Sequence, residues 1–169
     1  PLRRQRQMCI RDRNNLEKII NNIVGDAIVK EVMSLKLAVK LIETVEEKAA
    51  EMGLAVVVAV SDASGRPVAV HCMDGAYHGS FDVAVNKTYT STAFQMSTAK
   101  LSRLCQPGQD LYGLQFSNNG KVMILGGGEP LMVGRTMIGA LGVSGGSAQE
   151  DSDLAAYGAS ALKEVIKCL

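Results

Sequence analysis

Two glycine clusters on either side of an apolar hairpin constrain the fold of this chain more than any other feature of its sequence. Residues 126–128 are three glycines before one predicted strand, and two more glycines follow the next strand. Glycine accepts positive φ and lets a backbone or a ligand approach closely, so each cluster predicts either a sharp turn packed against a helix or a row of amide donors for a ligand. The candidate cofactor contacts in these clusters are Gly126, Gly127, Gly128, Gly145 and Gly146.

The last predicted helix begins directly after the second cluster. Ser147 and Glu150 form an S-x-x-E capping box, and Asp151 adds a carboxylate where the helix dipole is positive. An anion bound at this turn would compete with those carboxylates. The clusters also lack the G-x-G-x-x-G order and the P-loop lysine, so the sequence does not support nucleotide binding.

The composition is that of a single globular domain. With 169 residues, 47% of them hydrophobic, the chain has material for one substantial core. The longest aliphatic run, residues 54–60, is too short to cross a bilayer, and no signal-peptide pattern opens the chain, so we expect a cytoplasmic protein without membrane association. The four cysteines show no C-x-x-C spacing, which predicts reduced thiols rather than a zinc site or a redox pair.

The first 33 residues differ in character from the rest. Of the 18 basic and 17 acidic residues, five arginines and one aspartate lie in a basic arm at residues 1–13, so the remainder carries a net charge of −3. The arm has no interleaved aromatic residues and no groove-reading motif follows it, so we expect no nucleic-acid binding. Residues 8–13 resemble a translated sequencing adapter, and the arm is interpreted as disordered or non-native. Residues 14–33 follow as an amphipathic helix with an apolar stripe at 16–28.

Hydrophobic periodicity predicts an α+β fold for residues 34–169. Strands joined by short turns are followed by helices without a βαβ rhythm, which favours a mainly antiparallel sheet with helices packed against it. One helix, starting at Ser80, is expected to turn Phe81 inward and to leave Lys87 and Thr90 on another face. Five strands are predicted at residues 54–60, 68–73, 121–125, 131–133 and 136–143, and the main helices at residues 35–52, 80–96 and 148–167.

Three long stretches of the chain resemble one known family. They are residues 61–98, 106–131 and 138–151, and they contain the elements D-x-x-G, MD-A, N-K, GGG-P and GVSGG in linear order. Together they resemble the GlcG/HbpS (haem-degrading) family, and most of all the C-terminal domain of PduO-type microcompartment proteins. The resemblance implies a five-stranded antiparallel sheet in a profilin-like arrangement, assembly into dimers and larger oligomers commonly described as octamers, and haem binding in some members.

The helix at residues 16–28 gains a second interpretation from this resemblance. Cargo proteins of bacterial microcompartments often carry a short terminal amphipathic helix that docks on shell proteins. A helix that packs on its own domain or oligomer shows the same spacing. The expected partners are therefore further copies of this chain and, through residues 16–28, microcompartment shell proteins.

Haem iron needs an axial side chain such as histidine, and the chain contains two histidines. His78 lies in a glycine-flanked loop before a helix and is the better candidate, because loops on rigid scaffolds carry many binding residues. His71 is the alternative. The two-residue period of its strand places it with Ala69 and Met73 on the face that we expect to be less buried. Met73 is the further candidate contact in this region.

Asp74 and Lys87 belong to the MD-A and N-K elements. We expect them to form a structural ion pair, with a contact from Lys87 to a haem propionate or another anion as the alternative. No Ser-His, H-E-x-x-H or paired-carboxylate arrangement indicates a hydrolase. The leading hypothesis is an oligomeric haem-binding accessory protein of a microcompartment. The alternatives are a haem-dependent oxidative enzyme, an enzyme acting on a small metabolite, and a cargo domain without a cofactor.

Overall fold

The computed structural model describes residues 32–169, so the basic arm and the helix predicted at residues 16–28 lie outside the described residues. Within residues 32–169, no helix is long and apolar enough to span a bilayer. The elements are α1 (Leu35–Glu51), β1 (Val57–Asp62), β2 (Pro67–Cys72), α2 (Ser80–Phe94), α3 (Thr98–Leu104), two 3-10 turns (Leu114–Phe116 and Asn118–Gly120), β3 (Gly128–Val133), β4 (Thr136–Ser144) and α4 (Ala148–Lys167).

The strands form one antiparallel sheet in the order β2-β1-β4-β3. The predicted α+β class and antiparallel sheet are confirmed. Because β1 and β4 occupy the centre, they are covered on both faces, and residues 57–61 are all buried. β2 and β3 are the edge strands, each joined to its neighbour by a short hairpin turn.

The sheet has four strands in the described part of the chain rather than the five predicted, because residues 121–125 are not a strand. The backbone N–H of Met123 donates to the Thr90 hydroxyl of α2 at 2.8 Å instead of to a neighbouring strand. Val122 is buried in a small core beside Leu101 and Cys105. This segment therefore packs with α3, a seven-residue helix that the sequence patterns did not predict.

The two faces of the sheet are covered by different helices. Alternate residues of β1 point to opposite faces, as the strand period requires. Val58 and Val60 lie in the larger core, beneath α1 and α4, whereas Val57 and Ala59 pack against Ala84 of α2. The arrangement has three layers. The loop after β2 leads from the sheet to α2 on one face, and the first turn of α4 leads from the sheet to the other face.

Candidate functional site

The loop between β2 and α2 exposes an imidazole that two exposed aromatic residues flank in the sequence. It turns at Gly75, with φ +87°, and enters α2 through a hydrogen bond from the Ser80 N–H to the Tyr77 carbonyl at 3.0 Å. His78 is exposed. Tyr77 is 74% exposed and Phe81 45% exposed, so the helix start does not bury Phe81 as predicted.

Met73 and Asp74 are the first two residues of this loop, directly after β2. Asp74 is exposed, and Met73 is half-buried against the larger core. We call Asp74, Tyr77, His78 and Phe81 the loop surface. It combines one possible metal-binding nitrogen with aromatic area, which is the chemistry that a flat, apolar, metal-centred ligand requires.

His71 lies apart from the loop surface and has a carboxylate partner. Its Nδ1 is 3.3 Å from Glu46 of α1. The expectation that this face of β2 is the less buried one is wrong, since Ala69 and Met73 pack against the larger core. The interpretation failed because α1 packs on this face of β2, whereas the opposite face, which includes the exposed Cys72, is only partly covered.

Lys87 points into the interior rather than to solvent. Its side chain is 1% exposed, and its Nζ donates to Asp151 Oδ2 at 2.7 Å and to the Val143 carbonyl at 2.6 Å. The predicted placement of Lys87 and Thr90 away from the buried face is therefore wrong, since both are buried. The predicted pair with Asp74 is also wrong, because the lysine pairs with a residue on α4.

Burial and ion pairing shift the pKa of this lysine in opposite directions. Burial lowers the pKa of Lys87, and the hydrogen bond and charge of Asp151 oppose that shift. The other carboxylate oxygen of Asp151, Oδ1, accepts the Gly146 N–H at 2.9 Å. Each residue of this ion pair is thus bonded to a backbone group as well as to the opposite charge, as a buried pair requires.

The glycine clusters close the space around this pair. A Cβ on Gly127 would lie 2.8 Å from Lys87 Nζ and 2.7 Å from the Val143 carbonyl, and one on Gly128 would lie 2.9 Å from the Lys87 carbonyl. A Cβ on Gly126 would lie 2.7 Å from the Ala148 carbonyl, so the first cluster fits the packing interpretation.

In the second cluster, Gly145 is equally close-packed. A Cβ on Gly145 would lie 2.6 Å from the Ala55 carbonyl. The amides of Gly146 and Gly128 already donate within the chain, to Asp151 and to Thr98 Oγ1. We call Lys87, Gly127, Val143, Gly146 and Asp151 the lysine joint. The N-K, GGG and GVSGG elements, far apart in sequence, thus meet in one buried contact.

The capping box at the start of α4 is present as predicted. The Ser147 hydroxyl accepts the Glu150 N–H at 3.3 Å, and the Glu150 carboxylate accepts the Ser147 N–H at 2.8 Å. These hydrogen bonds lower the pKa of Glu150. Asp151 is the residue whose main role sequence reasoning missed, since a carboxylate in a first helical turn has a sufficient local explanation in the helix dipole.

The predicted contacts therefore separate into a loop surface and a buried joint. Phe81 and Lys87 are six positions apart on α2, about 9 Å along the helix axis, and face different environments. Tyr77 and Phe81 were not predicted as part of a site, although their spacing around His78 is visible in the sequence. Among residues 32–169, no group of three or more histidine, cysteine or acidic side chains is placed to hold a metal ion.

Known proteins are similar to this chain in sequence and in architecture. A 15.0 kDa protein from the dhaT-dhaS intergenic region of Citrobacter freundii is 39% identical over 123 residues, which cover 73% of this chain and 87% of that protein. Corrinoid adenosyltransferase PduO of Salmonella typhimurium is 39% identical over 109 residues, which cover 64% of this chain but 32% of PduO. The match to PduO thus concerns about one third of that enzyme.

One solved structure extends this likeness to three dimensions. The crystal structure of a PduOC:haem complex superposes with a TM-score of 0.74 at 35% identity, covering 77% of this chain and 94% of that one. A family model described as haem-degrading protein HbpS-like matches residues 33–160. The chain therefore belongs to the HbpS-like family and is similar to the C-terminal domain of PduO.

Proposed function

We propose that this protein is a self-associating haem-binding accessory protein of a bacterial microcompartment, with His78 as the axial ligand. The observation that carries the proposal is the exposed His78, with the exposed aromatic residues Tyr77 and Phe81 near it in the sequence, in a chain whose fold matches a PduOC:haem complex. The microcompartment location and the self-association rest on the similarity to PduO and on the family resemblance.

The loop surface fits haem because it supplies a ligand atom and apolar area together. A neutral imidazole nitrogen is a common axial ligand. In the isolated chain Tyr77 is largely exposed and Phe81 is partly exposed, and covering their rings with a porphyrin face would remove apolar area from water. When bound, haem supplies the redox chemistry, while these residues hold and orient it.

Two earlier candidates contribute less to this proposal. Lys87 is not a proposed propionate contact, because its ammonium is buried and paired with Asp151. His71 remains the alternative ligand, but one of its ring nitrogens lies against Glu46. The glycine clusters are assigned to packing.

Haem titration of three matched proteins tests the ligand. We expect the parent protein to shift the haem Soret band at micromolar haem, His78→Ala to weaken binding at least about tenfold, and His71→Ala to bind like the parent. Because the protein has two histidines, each variant is the control for the other. Loss of the signal in His71→Ala alone would reassign the ligand, and no Soret change in the parent would exclude haem.

A second candidate function is haem-dependent oxidation, which the family description as haem-degrading favours. Its test is the fate of the haem after binding. Progressive loss of the Soret band on addition of peroxide, faster than for free haem, would support an enzyme. A stable band under the same conditions would support the binding protein.

A further inference from the structure

The two edge strands of the sheet differ in whether their outward-pointing backbone N–H and C=O groups are covered. On β3, the outward N–H of Gly128 donates to Thr98 Oγ1 at 2.9 Å, and Pro130, the next outward residue, has no N–H. The edge of β3 is therefore closed by α3 and by a proline. Such devices prevent a sheet from adding another strand.

Among residues 32–169, no helix contact or proline protects the second half of β2 in this way. The Met73 N–H donates to Val56 at 3.1 Å, and the alternation of an antiparallel ladder then points the backbone groups of Val70 and Cys72 away from β1. A register shift leaves Val68 as an extra residue, so a bulge and Pro67 disturb only the first half of the strand. No residue from Pro67 to Met73 is acidic or a lysine or arginine.

The two residues that flank this strand carry opposite charges. Arg66 precedes β2 and Asp74 follows it, and both are exposed. Within residues 32–169, neither belongs to a salt bridge. If β2 paired antiparallel with an identical strand, the arginine end of each copy would meet the aspartate end of the other. A parallel arrangement would bring like charges together.

We propose that the open edge of β2 pairs antiparallel with β2 of a second copy, joining two four-stranded sheets into one. The proposal rests on the self-association included in the proposed function and names the surface that carries it. The two-fold axis passes through His71, so that Val70 of each copy lies opposite Cys72 of the other. In this register all the outward groups of Val70 and Cys72 find partners, and Arg66 lies within two residues of the position opposite Asp74.

A disulfide tests this register directly. Residues directly opposite in an antiparallel pair have Cα atoms about 5.5 Å apart, within disulfide range. In a background with Cys9 and Cys168 changed to serine, we expect oxidised Val70→Cys to form a covalent dimer of twice the 18.0 kDa chain mass. Adding Cys72→Ser should abolish this dimer. Met132→Cys on the closed β3 edge is the matched control and should stay uncrosslinked.

Charge exchange tests the same contact without relying on cysteine chemistry. Arg66→Glu and Asp74→Arg should each weaken dimerisation at least about tenfold, measured by light scattering over a concentration series. The double variant should restore dimerisation, because the charges are then exchanged rather than lost. Failure of the double variant to recover would overturn the pairing.

The outcomes separate this inference from the proposed function. Oligomers in solution without the Val70→Cys crosslink would place self-association on another surface and overturn the β2 pairing alone. A monomer at every concentration would contradict both the pairing and the proposed self-association. Haem binding is read independently from the Soret band of the parent protein, because Asp74 belongs to the loop surface.

Discussion

At the scale of single residues, the most consequential side chain is the buried lysine of the joint. Lys87→Met should lower the free energy of unfolding by about 3–5 kcal/mol, because Asp151 would remain buried without its counter-charge. Urea denaturation measures this change. Lys163→Met, at an exposed position of α4, is the matched control and should change stability by less than about 0.5 kcal/mol.

The double variant Lys87→Met, Asp151→Asn separates charge from packing. Removing the uncompensated carboxylate should recover part of the loss, since an amide oxygen can still accept the Gly146 N–H. A double variant as unstable as Lys87→Met would show that lost packing, not the orphaned charge, causes the effect.

The partly buried carboxyl group of Glu129 should make the stability of the fold depend on pH. Burial on β3 raises its pKa above 4.5, so between pH 4.5 and the folded-state pKa the folded chain binds more protons than the unfolded chain. Stability therefore falls as the pH rises through this window. Glu129→Gln should match the parent below pH 4.5 and become the more stable protein as the pH rises towards neutrality, measured by unfolding midpoints from pH 4 to 7. A difference independent of pH would contradict this expectation.

Sequence reasoning succeeded where a residue's role is local and failed where its partner is distant. The capping box of Ser147 and Glu150 was predictable because its members are three positions apart. The partner of Lys87 lies 64 positions away, and the polar character of a lysine argues for exposure. Only the joint, which satisfies the ammonium with a carboxylate and a carbonyl, makes its burial possible.

At the scale of elements, the helix α4 depends on its first turn. Ser147→Ala should destabilise the protein by about 1 kcal/mol, because the Glu150 N–H loses its acceptor. Urea denaturation measures this change. Ser160→Ala, in the same helix and bonded only to the Tyr157 carbonyl, should have a smaller effect. Equal losses in the two variants would argue against a specific capping contribution.

The long helices and the hairpins could be predicted because their apolar periods are regular. The fifth strand was predicted wrongly, since Val122 and Ile124 alternate with other residues as a strand would. Those residues instead complete a small core with α3, and Thr90 takes the backbone donor that a strand would use. In this segment the alternation correctly indicated that Val122 is buried but not which element buries it.

At the scale of the whole molecule, residues 32–169 contain the four described strands and the helices that pack on both faces of their sheet. If residues 16–28 are a targeting helix, deleting residues 1–31, which spares the core residue Met33, should leave unfolding and self-association unchanged and abolish co-purification with microcompartment shell proteins. The full-length chain is the control for both measurements. A deletion that unfolds the domain would assign the helix to the core instead.

The lysine joint also sets an order of events during synthesis on the ribosome. The lysine leaves the exit tunnel 64 residues before its aspartate, a delay of about 3–13 s at typical elongation rates. Until then, packing α2 on the sheet would bury the ammonium group of Lys87 without its counter-charge. We therefore expect α2 to stay loosely packed on the nascent chain until α4, which carries Asp151, has emerged.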